Sequence, residues 1–332
     1  MRNILVTGGG GFLGKAIVKR LLDQGDRVRS FSRKTYADLT ALNVSQIQGD
    51  LADAAAVSRA VAGMDVVFHV AALPGVWGPY DAFYRTNELG TRNIITACRT
   101  HRVQRLVYTS SPSVIFDGSD MEGVNESVPY PKHHPTHYSR TKAAAEKFVM
   151  AAGNKDLPTI SLRPHLIWGP GDNHLVPRIL ARARQLVQVG DGKNRVDTLY
   201  IDNAASAHLL AEKALERNPN LSGNTYFISQ DDPIPVWDMI NQILAAGGKP
   251  AIEKKMSHTT VRLIGGLLEG IWRLGKLPGE PPMTRFVADE LATAHWFDIS
   301  AAKRDFGFYP EISTAEGLQR LAAYLAADSG RF

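Results

Sequence analysis

The chain has 332 residues, of which 44% are hydrophobic and 21% charged, and its formal net charge is +5 at pH 7. These proportions are ordinary for a soluble globular protein. The lysines and arginines are scattered rather than gathered in blocks, which argues against nucleic-acid binding, although a basic surface favours anionic ligands.

The first predicted strand follows the N-terminal methionine almost at once, so we expect no signal peptide. No run of 18 or more uncharged apolar residues occurs, and we expect no transmembrane span. Cys98 is the single cysteine of the chain. An intramolecular disulfide is therefore excluded, which fits a reducing compartment such as the cytoplasm.

A glycine-rich turn follows the predicted strand at 3–7. Gly8, Gly11 and Gly14 are spaced by three, and Gly9, Gly11 and Gly14 also fit the dinucleotide pattern G-x-G-x-x-G. Residues 15–22 continue with apolar side chains at helical spacing. Free backbone N–H groups and the helix dipole at such a helix N-terminus bind a pyrophosphate. The turn therefore predicts a dinucleotide site and, with it, hydride transfer.

Short apolar strands alternate with helical patterns up to Arg163, which predicts an α/β fold of the Rossmann type with a doubly wound parallel sheet. We expect a dinucleotide-binding domain at 1–163. We expect 164–332 to form mainly a smaller substrate-binding lobe, with segments that return to the main sheet. The predicted strands are 27–31, 44–48, 65–70, 105–109 and 159–162, and the predicted helices lie near 12–24, 53–62, 82–100 and 138–152.

The end of the second strand indicates which nicotinamide cofactor is preferred. Enzymes that use NAD usually place an acid there to bind the ribose 2′-hydroxyl group. This chain has Ser32, Arg33 and Lys34 instead. Because an arginine binds a 2′-phosphate bidentately, we predict that NADP(H) is preferred and that NAD(H) remains possible. The two cations are also compatible with the start of a solvated loop.

Two further stretches carry acid–base chemistry. Tyr138 and Lys142 are four residues apart and share one face of a predicted helix, where an ammonium group lowers the pKa of a phenol. A serine-rich turn at 110–113 follows the strand at 105–109, at the edge where α/β sheets place their ligands. Each stretch alone also fits an ordinary solvated helix or turn. Their order after the glycine turn favours a catalytic site.

In these motifs the chain resembles the extended short-chain dehydrogenase/reductases over nearly its whole length. The matching segments are 7–14, 49–51, 69–72, 86–91, 108–114, 138–142 and 163–164. The resemblance implies the catalytic residues Ser111, Tyr138, Lys142 and Asn87. It implies that Tyr138 moves a proton, that Lys142 lowers the pKa of that phenol and holds the nicotinamide ribose, and that Ser111 polarises the substrate oxygen. The cofactor contacts predicted from these segments, together with Ser32 and Arg33 from the end of the second strand, are Gly8, Gly11, Phe12, Leu13, Gly14, Asp50, Leu51, Ala71, Ala72, Tyr138, Lys142 and Pro164.

Within that family the chain is most similar to the 3β-hydroxysteroid dehydrogenase branch, at 162–177 and 190–203. The stretches 75–81, 277–286 and 294–296 are similar to the bacterial 2-alkyl-3-oxoalkanoate reductases of long-chain olefin biosynthesis. This resemblance implies reduction of the 3-keto group of a large apolar 2-alkyl-3-oxo acid, with substrate contacts at Trp77, Pro112, His165 and Asn173.

Other functions stay open at this stage. A 3β-hydroxysteroid or sterol-4-carboxylate dehydrogenase and a nucleotide-sugar epimerase or dehydratase would use the same Tyr138 and Lys142. A regulator that senses nicotinamide without catalysis is a different class, and it need not keep the complete serine, tyrosine and lysine set. The family also implies a homodimer formed through the helices near 87–100 and 138–152.

The segment 261–277 is predicted to form an amphipathic helix with a wide apolar side. Its charged residues Arg262, Glu269, Arg273 and Lys276 share one face, and Leu263, Ile264, Leu267, Leu268, Ile271 and Leu274 cover the rest. Such a helix packs on the core, covers an apolar pocket, lies on a membrane surface or contacts a partner. Its glycines indicate a mobile or closely packed element.

A second cluster, His133, His134 and His137, precedes Tyr138. Pro131 and Pro135 interrupt the segment, and it lacks the fixed helical spacing typical of metal ligands. We therefore predict a substrate-entry loop and no metal site.

Overall fold

The computed structural model describes residues 1–327, and within them a parallel sheet of seven strands runs through the centre of the molecule. Its strand order is β12-β7-β5-β4-β1-β2-β3. The strands of the described chain are β1 Asn3–Thr7, β2 Arg27–Ser32, β3 Ser45–Gln48, β4 Val66–His69, β5 Arg105–Thr109, β6 Met121–Val124, β7 Thr159–Pro164, β8 Ile167–Trp168, β9 Gln188–Val189, β10 Arg195–Val196, β11 Leu199–Tyr200, β12 Asn224–Ile228, β13 Ile234–Pro235, β14 Lys255–Met256 and β15 His295–Phe297.

Helices cover both faces of this sheet. The residues of β1 alternate between two cores: Ile4 and Val6 pack in one and Leu5 in the other. This confirms the predicted doubly wound α/β fold. The helices are α1 Phe12–Asp23, α2 Ala37–Ala41, α3 Ala54–Val61, α4 Tyr80–Phe83, α5 Gly90–Thr100, α6 His137–Ala152, α7 Leu175–Ala181, α8 Ile201–Arg217, α9 Val236–Ala246, α10 His258–Gly275, α11 Arg285–Glu290, α12 Ser300–Phe306 and α13 Thr314–Ala327.

The strand order reverses between β1 and β4, which lie side by side although β2 and β3 separate them in the chain. The segments that follow β1 and β4 therefore run to opposite sides of the sheet, and a crevice opens between them at the carboxyl ends of the two strands. The glycine-rich turn after β1 lies at this crevice. This topology places the sequence motifs at one edge of the sheet.

Residues beyond 163 contribute to both the main sheet and a smaller second sheet. β12 pairs in parallel with β7, and α8 packs beside α1. The second sheet has the order β13-β10-β15-β6 and combines β6 from the first half with strands from the second half. The two halves of the sequence are thus interleaved around the crevice.

The predicted helix near 82–100 differs in its first part. α4 is followed by a π-helical turn at Tyr84–Leu89, and α5 begins only at Gly90. π turns within helices are frequent at functional sites because they redirect a side chain. Here the turn contains Asn87, which is buried.

None of the helices among residues 1–327 combines the length and apolar character needed to cross a bilayer.

Candidate active site

A cleft of about 870 Å³, here called the main cleft, lies at the carboxyl ends of β1, β4 and β5. The catalytic candidates Ser111, Tyr138 and Lys142 line it together. The remaining predicted cofactor contacts are also on its wall, namely Gly8, Gly11, Phe12, Leu13, Gly14, Ser32, Arg33, Asp50, Leu51, Ala71, Ala72 and Pro164.

The geometry of the glycine turn fits a pyrophosphate. Gly8 has a φ of +70°, and a Cβ atom on Gly14 would lie 2.1 Å from the backbone oxygen of Gly8. Gly11 precedes α1 and supplies no side-chain cap, so the first N–H groups of that helix have no side-chain partner at this position. An uncapped helix N-terminus beside a tight backbone turn suits a phosphate ligand.

A buried hydrogen-bond chain fixes the end of β4 beside this turn. The hydroxyl group of Thr7 accepts bonds from the amides of Val70 and Ala71, and it lies 2.8 Å from Nδ1 of His69. Thr91 donates to the carbonyl oxygen of Asn87 and lies 3.0 Å from Nε2 of His69. The Thr7 proton therefore points to Nδ1, and His69 carries its own proton on Nε2. Burial lowers the pKa of His69 to about 3, which keeps this ring neutral.

Cations and an aromatic ring form the end of the main cleft at β2. Arg33 and Lys34 are exposed and line the cleft with Tyr36. The ammonium group of Lys34 lies 5.2 Å from the centre of the Tyr36 ring. Tyr36 was not predicted from the sequence. Its ring packs on Gly10, where a Cβ atom would lie 2.2 Å from the ring. This is a contact between separate segments, which no local sequence motif indicates.

Lys142 is almost fully buried in the wall of the main cleft. Its Nζ donates to the carbonyl oxygen of Thr109 at 2.6 Å and lies 4.2 Å from the centre of the Tyr108 ring. Burial lowers the pKa of Lys142 to about 7, although the negative charge of Glu146 acts in the opposite direction. The carboxyl end of β5 therefore sets the position of this ammonium group.

Tyr138 and Ser111 are neighbours in the wall of the main cleft. Burial raises the pKa of the Tyr138 phenol, a hydrogen bond from Ser111 lowers it, and the neighbouring Glu290 raises it further. The net direction is upward because desolvation outweighs the hydrogen bond from Ser111, and Lys142 is not among the groups that shift this pKa, so the lowering expected from Lys142 is not seen here. The side chain of Ser111 is oriented by Ser113, whose backbone N–H group donates a hydrogen bond of 3.2 Å to Ser111 Oγ. Ser113 itself does not line the cleft.

A buried ion pair supports Lys142 from one helical turn further along α6. Arg163 binds Glu146 through Nη2 at 2.6 Å, and both side chains are buried. Tyr130 donates to the same carboxylate at 2.6 Å. Sequence reasoning did not identify this group. The spacing of Tyr138, Lys142 and Glu146, each four residues apart on one helix face, is the signal that would have found it.

Glu290 at the end of α11 is a second residue that the sequence did not identify. Burial raises the pKa of its carboxyl group to about 7. Its charge raises the pKa of Tyr138, which shows that the two groups are electrostatic neighbours. No local motif marks Glu290, because more than a hundred residues separate it from Tyr138 in the chain.

Asn87 does not line the main cleft. Its side-chain amide forms two hydrogen bonds with the backbone of Leu73. Oδ1 accepts from the Leu73 N–H group at 2.7 Å, and Nδ2 donates to the Leu73 carbonyl oxygen at 3.1 Å. Nδ2 also lies 3.2 Å from the hydroxyl group of Thr141. Asn87 thus ties the segment after β4 to α6, next to Lys142. Its contacts are those of a positioning residue.

The predicted substrate contacts separate into three groups. Asn173 lines the main cleft. Trp77 lines a second cleft of about 1,090 Å³, here called the side cleft, which is bounded by 76–79, 134–140 and α10. Pro112 and His165 line neither cleft. Pro112 is buried at the start of a 3₁₀ turn, and His165 packs edge-on against Phe297 with ring centres 5.1 Å apart, so the structure places both in the core.

Comparison with known proteins gives related sequences over almost the whole chain. The 3-beta hydroxysteroid dehydrogenase/isomerase family model matches residues 5–256. A 2-alkyl-3-oxoalkanoate reductase of Stenotrophomonas maltophilia is 51% identical over 328 residues, which cover 98% of this chain and 99% of that protein. A decarboxylating sterol-4-alpha-carboxylate 3-dehydrogenase of Mus musculus is 32% identical, with 95% of this chain and 88% of that protein covered.

Among solved structures, the UDP-glucuronic acid 4-epimerase from Bacillus cereus in complex with NAD is similar with a TM-score of 0.75. It is 22% identical to this chain, and the match covers 98% of this chain and 99% of the epimerase chain. At this identity the likeness shows a shared fold alone.

Proposed function

Since the chain belongs to the 3-beta hydroxysteroid dehydrogenase/isomerase family, we propose that it is an oxidoreductase that reduces the 3-keto group of a long-chain 2-alkyl-3-oxoalkanoic acid, with NADP(H) preferred over NAD(H). The 51% identity to a 2-alkyl-3-oxoalkanoate reductase over both full lengths carries this proposal. The meeting of Ser111, Tyr138 and Lys142 in the main cleft supports it from the structure.

The glycine turn and the exposed Arg33 are suited to hold two parts of a dinucleotide, the central pyrophosphate and the adenosine ribose. The turn offers the N–H groups of α1 to the pyrophosphate, and Arg33 and Lys34 offer positive charge to a 2′-phosphate. When bound, the nicotinamide supplies the hydride that reduces the ketone. These contacts explain why we favour NADP(H).

The protein side chains then manage the charge that develops on the substrate oxygen. Ser111 donates a hydrogen bond to that oxygen, and Tyr138 gives it a proton. The pKa of the phenol is raised from its ordinary value of about 10, so Tyr138 holds this proton at neutral pH. In the reverse direction Tyr138 accepts the proton. Lys142 and Asn87 hold α6 against β5 and against the segment after β4, and keep the phenol in place.

The expected homodimer contacts involve α5 and α6, the helices that carry Asn87's neighbours and Tyr138. We propose that two copies of the chain pair through these helices. Light scattering of the purified protein measures its oligomeric state directly.

Oxidation of the 3-hydroxy acid is the practical assay for the proposed reaction, because β-keto acids decarboxylate in solution. Purified protein is mixed with NADP⁺ or NAD⁺ and a 2-alkyl-3-hydroxy acid, and formation of the reduced cofactor is followed. We expect turnover with NADP⁺ that falls by about 10²- to 10⁴-fold in Tyr138→Phe. A 3β-hydroxysteroid and a UDP-sugar are run in parallel.

The outcome separates the remaining functions. Turnover of the steroid alone would replace the proposed substrate with the sterol alternative, and turnover of the nucleotide sugar would indicate an epimerase or dehydratase. Cofactor binding without turnover of any of the three would favour a sensing role.

A further inference from the structure

A surface helix usually packs its apolar side on the protein, but α10 turns its apolar side towards solvent. Its buried residues are Val261, Gly265 and Glu269. Gly265 packs so closely that a Cβ atom there would lie 2.7 Å from the backbone of Thr284, and Glu269 is held by Arg285 at 2.7 Å. Small and charged side chains therefore face the protein, and the wide apolar side of the helix faces outward.

The outward face is a row of large apolar side chains. Leu263, Leu267 and Leu274 are 70%, 67% and 89% exposed. They fall within about 40° of one another around the helix axis, and Ile264 and Ile271 extend the row on one side. We call these five residues the α10 apolar face. Single exposed leucines are common, whereas a contiguous row of this kind marks an interaction surface.

Positive charge borders this face on its other side. Arg262 and Arg273 lie on the flank of the row, and Lys276 ends the helix. The acidic groups nearby are engaged: Glu269 with Arg285, and Asp289 with Arg262 and His258. Arg273 and Lys276 have no ion pair among residues 1–327. A helix with an apolar row and a cationic flank has the pattern of a helix that lies in a membrane interface.

We propose that α10 docks on the surface of an anionic phospholipid bilayer, with the α10 apolar face inserted at the level of the acyl chains and Arg273 and Lys276 among the headgroups. Charge complementarity decides between the occupants of this face. Anionic headgroups match the cationic flank. A second copy of this chain would bring the same excess of cations to the contact. A neutral surface would offer no anion to Lys276 or to Arg273, whose guanidinium group lies 5.4 Å from the centre of the Trp77 ring but forms no ion pair with the described residues.

The docked geometry also places the side cleft at the membrane. Glu269 and Trp272 on the inner side of α10 line this cleft together with Trp77, and Arg273 and Lys276, the residues proposed to meet the headgroups, line it too. A substrate with two long alkyl chains would then reach the enzyme from the bilayer. This consequence rests on the proposed function, whereas the docking itself does not.

Vesicle flotation with the full-length purified protein tests the docking. We expect the protein to float with vesicles of phosphatidylglycerol and phosphatidylcholine, less with phosphatidylcholine alone, and less at high salt. The triple variant Leu263→Gln, Leu267→Gln, Leu274→Gln should bind at least about tenfold more weakly, since each leucine loses its apolar burial. Leu42→Gln and Tyr309→Gln replace exposed apolar residues elsewhere and should bind as the wild type does.

Three results would overturn the proposal: no binding of the wild type to anionic vesicles, equal binding of the triple variant, or a change of protomer number in the triple variant by light scattering. The last would make this face an interface between copies. Turnover of a short, soluble 3-hydroxy acid should be unchanged in the triple variant, so failure of the docking is distinguishable from failure of the proposed function. Leu274→Gln alone provides a second variant at the most exposed position of the row.

Discussion

Lys142 is fixed by the carbonyl oxygen of Thr109, which accepts a hydrogen bond of 2.6 Å from its Nζ atom. The lysine thus belongs structurally to the end of β5, although it is carried by α6. Its burial disfavours the charged form and lowers its pKa to about 7, and the nearby Glu146 only partly offsets this. A lysine with this pKa changes charge near neutral pH, so its charge state affects both the stability of the fold and the proton transfer proposed for the site.

The first prediction concerns the pH dependence of stability. The pKa of Lys142 is about 7 in the folded chain and about 10.4 in an unfolded one. The unfolded state therefore binds more protons between these values, and the contribution of Lys142 to stability rises as pH rises from about 7 to about 10. We expect Lys142→Met to flatten this rise while it removes turnover. Urea unfolding at several pH values measures it, and Lys147→Met, an exposed neighbour on the same helix, should keep the wild-type slope. An unchanged slope in Lys142→Met would contradict the assignment.

The second prediction separates two serines of one turn. Ser111 lines the main cleft and hydrogen-bonds Tyr138, whereas Ser113 only supports it from behind. Loss of one hydrogen-bond donor to a developing oxyanion costs about 10²- to 10³-fold in kcat. We expect a loss of this order in Ser111→Ala and a smaller one in Ser113→Ala, with nucleotide affinity unchanged in both. Equal losses of kcat in the two variants would mean that the conformation of the turn, and not a hydrogen bond from the Ser111 hydroxyl group, determines the rate.

Much of this site could be read from the sequence because its motifs are local. The glycine turn and the pair Tyr138 and Lys142 are defined by spacing within one turn or one helix. Their convergence with Ser111 follows from the parallel sheet, since carboxyl ends of neighbouring strands meet at one edge. The doubly wound fold was predictable for the same reason, from the alternation of strands and helices.

What could not be read depends on contacts between distant segments or on local geometry without a motif. Glu290 reaches Tyr138 only through the packing of α11. The π turn at Tyr84–Leu89 turns Asn87 towards Leu73, a departure from regular helical spacing that no periodicity predicts. The amphipathic pattern of α10 predicted a helix correctly. Which side faces the protein was decided by the fit of Gly265 against Thr284, and not by hydrophobicity.

The third prediction follows from the neighbouring charges of Glu290 and Tyr138. Burial raises the pKa of Glu290 to about 7, and its ionised form raises the pKa of Tyr138. Glu290→Gln removes this negative charge, so the pKa of the phenol should fall. In the oxidation assay the rise of kcat/KM with pH should therefore move to lower pH, while Lys142 and Ser111 remain in place. If kcat/KM rose over the same pH range in Glu290→Gln as in the wild type, Glu290 would have no influence on the proton transfer.

The fourth prediction addresses cofactor choice. Arg33 lines the main cleft at the carboxyl end of β2, whereas Arg27 begins the same strand at its opposite end and is also exposed. Hydrogen bonds to a charged group contribute about 1.5–3 kcal/mol, which corresponds to about ten- to a hundredfold in affinity. In the oxidation assay we expect Arg33→Ser to raise the KM for NADP⁺ by this factor and to leave the KM for NAD⁺ nearly unchanged. Arg27→Ser is the matched control and should alter neither value. Equal effects on both cofactors would argue against a 2′-phosphate contact at Arg33.

The fifth prediction uses two glycines that differ only in their surroundings. A Cβ atom on Gly14 would lie 2.1 Å from the oxygen of Gly8, which is backbone and cannot rotate away, whereas a Cβ atom on Gly270 meets no atom within 4 Å. Gly14→Ala should therefore lower the free energy of unfolding by about 1–3 kcal/mol, the usual cost of overpacking, and weaken nucleotide binding as the turn shifts.

Gly270→Ala should instead stabilise the protein by about 0.5–1 kcal/mol, because alanine loses less backbone entropy in the interior of α10. Urea unfolding and nucleotide titration of the two variants side by side measure both effects. Gly14→Ala could also be as stable as Gly270→Ala and bind nucleotide with wild-type affinity. In that case the turn would accommodate a Cβ atom at Gly14, contrary to the 2.1 Å contact. The close approach of α1 to β1, on which the pyrophosphate contact depends, would then be wrong.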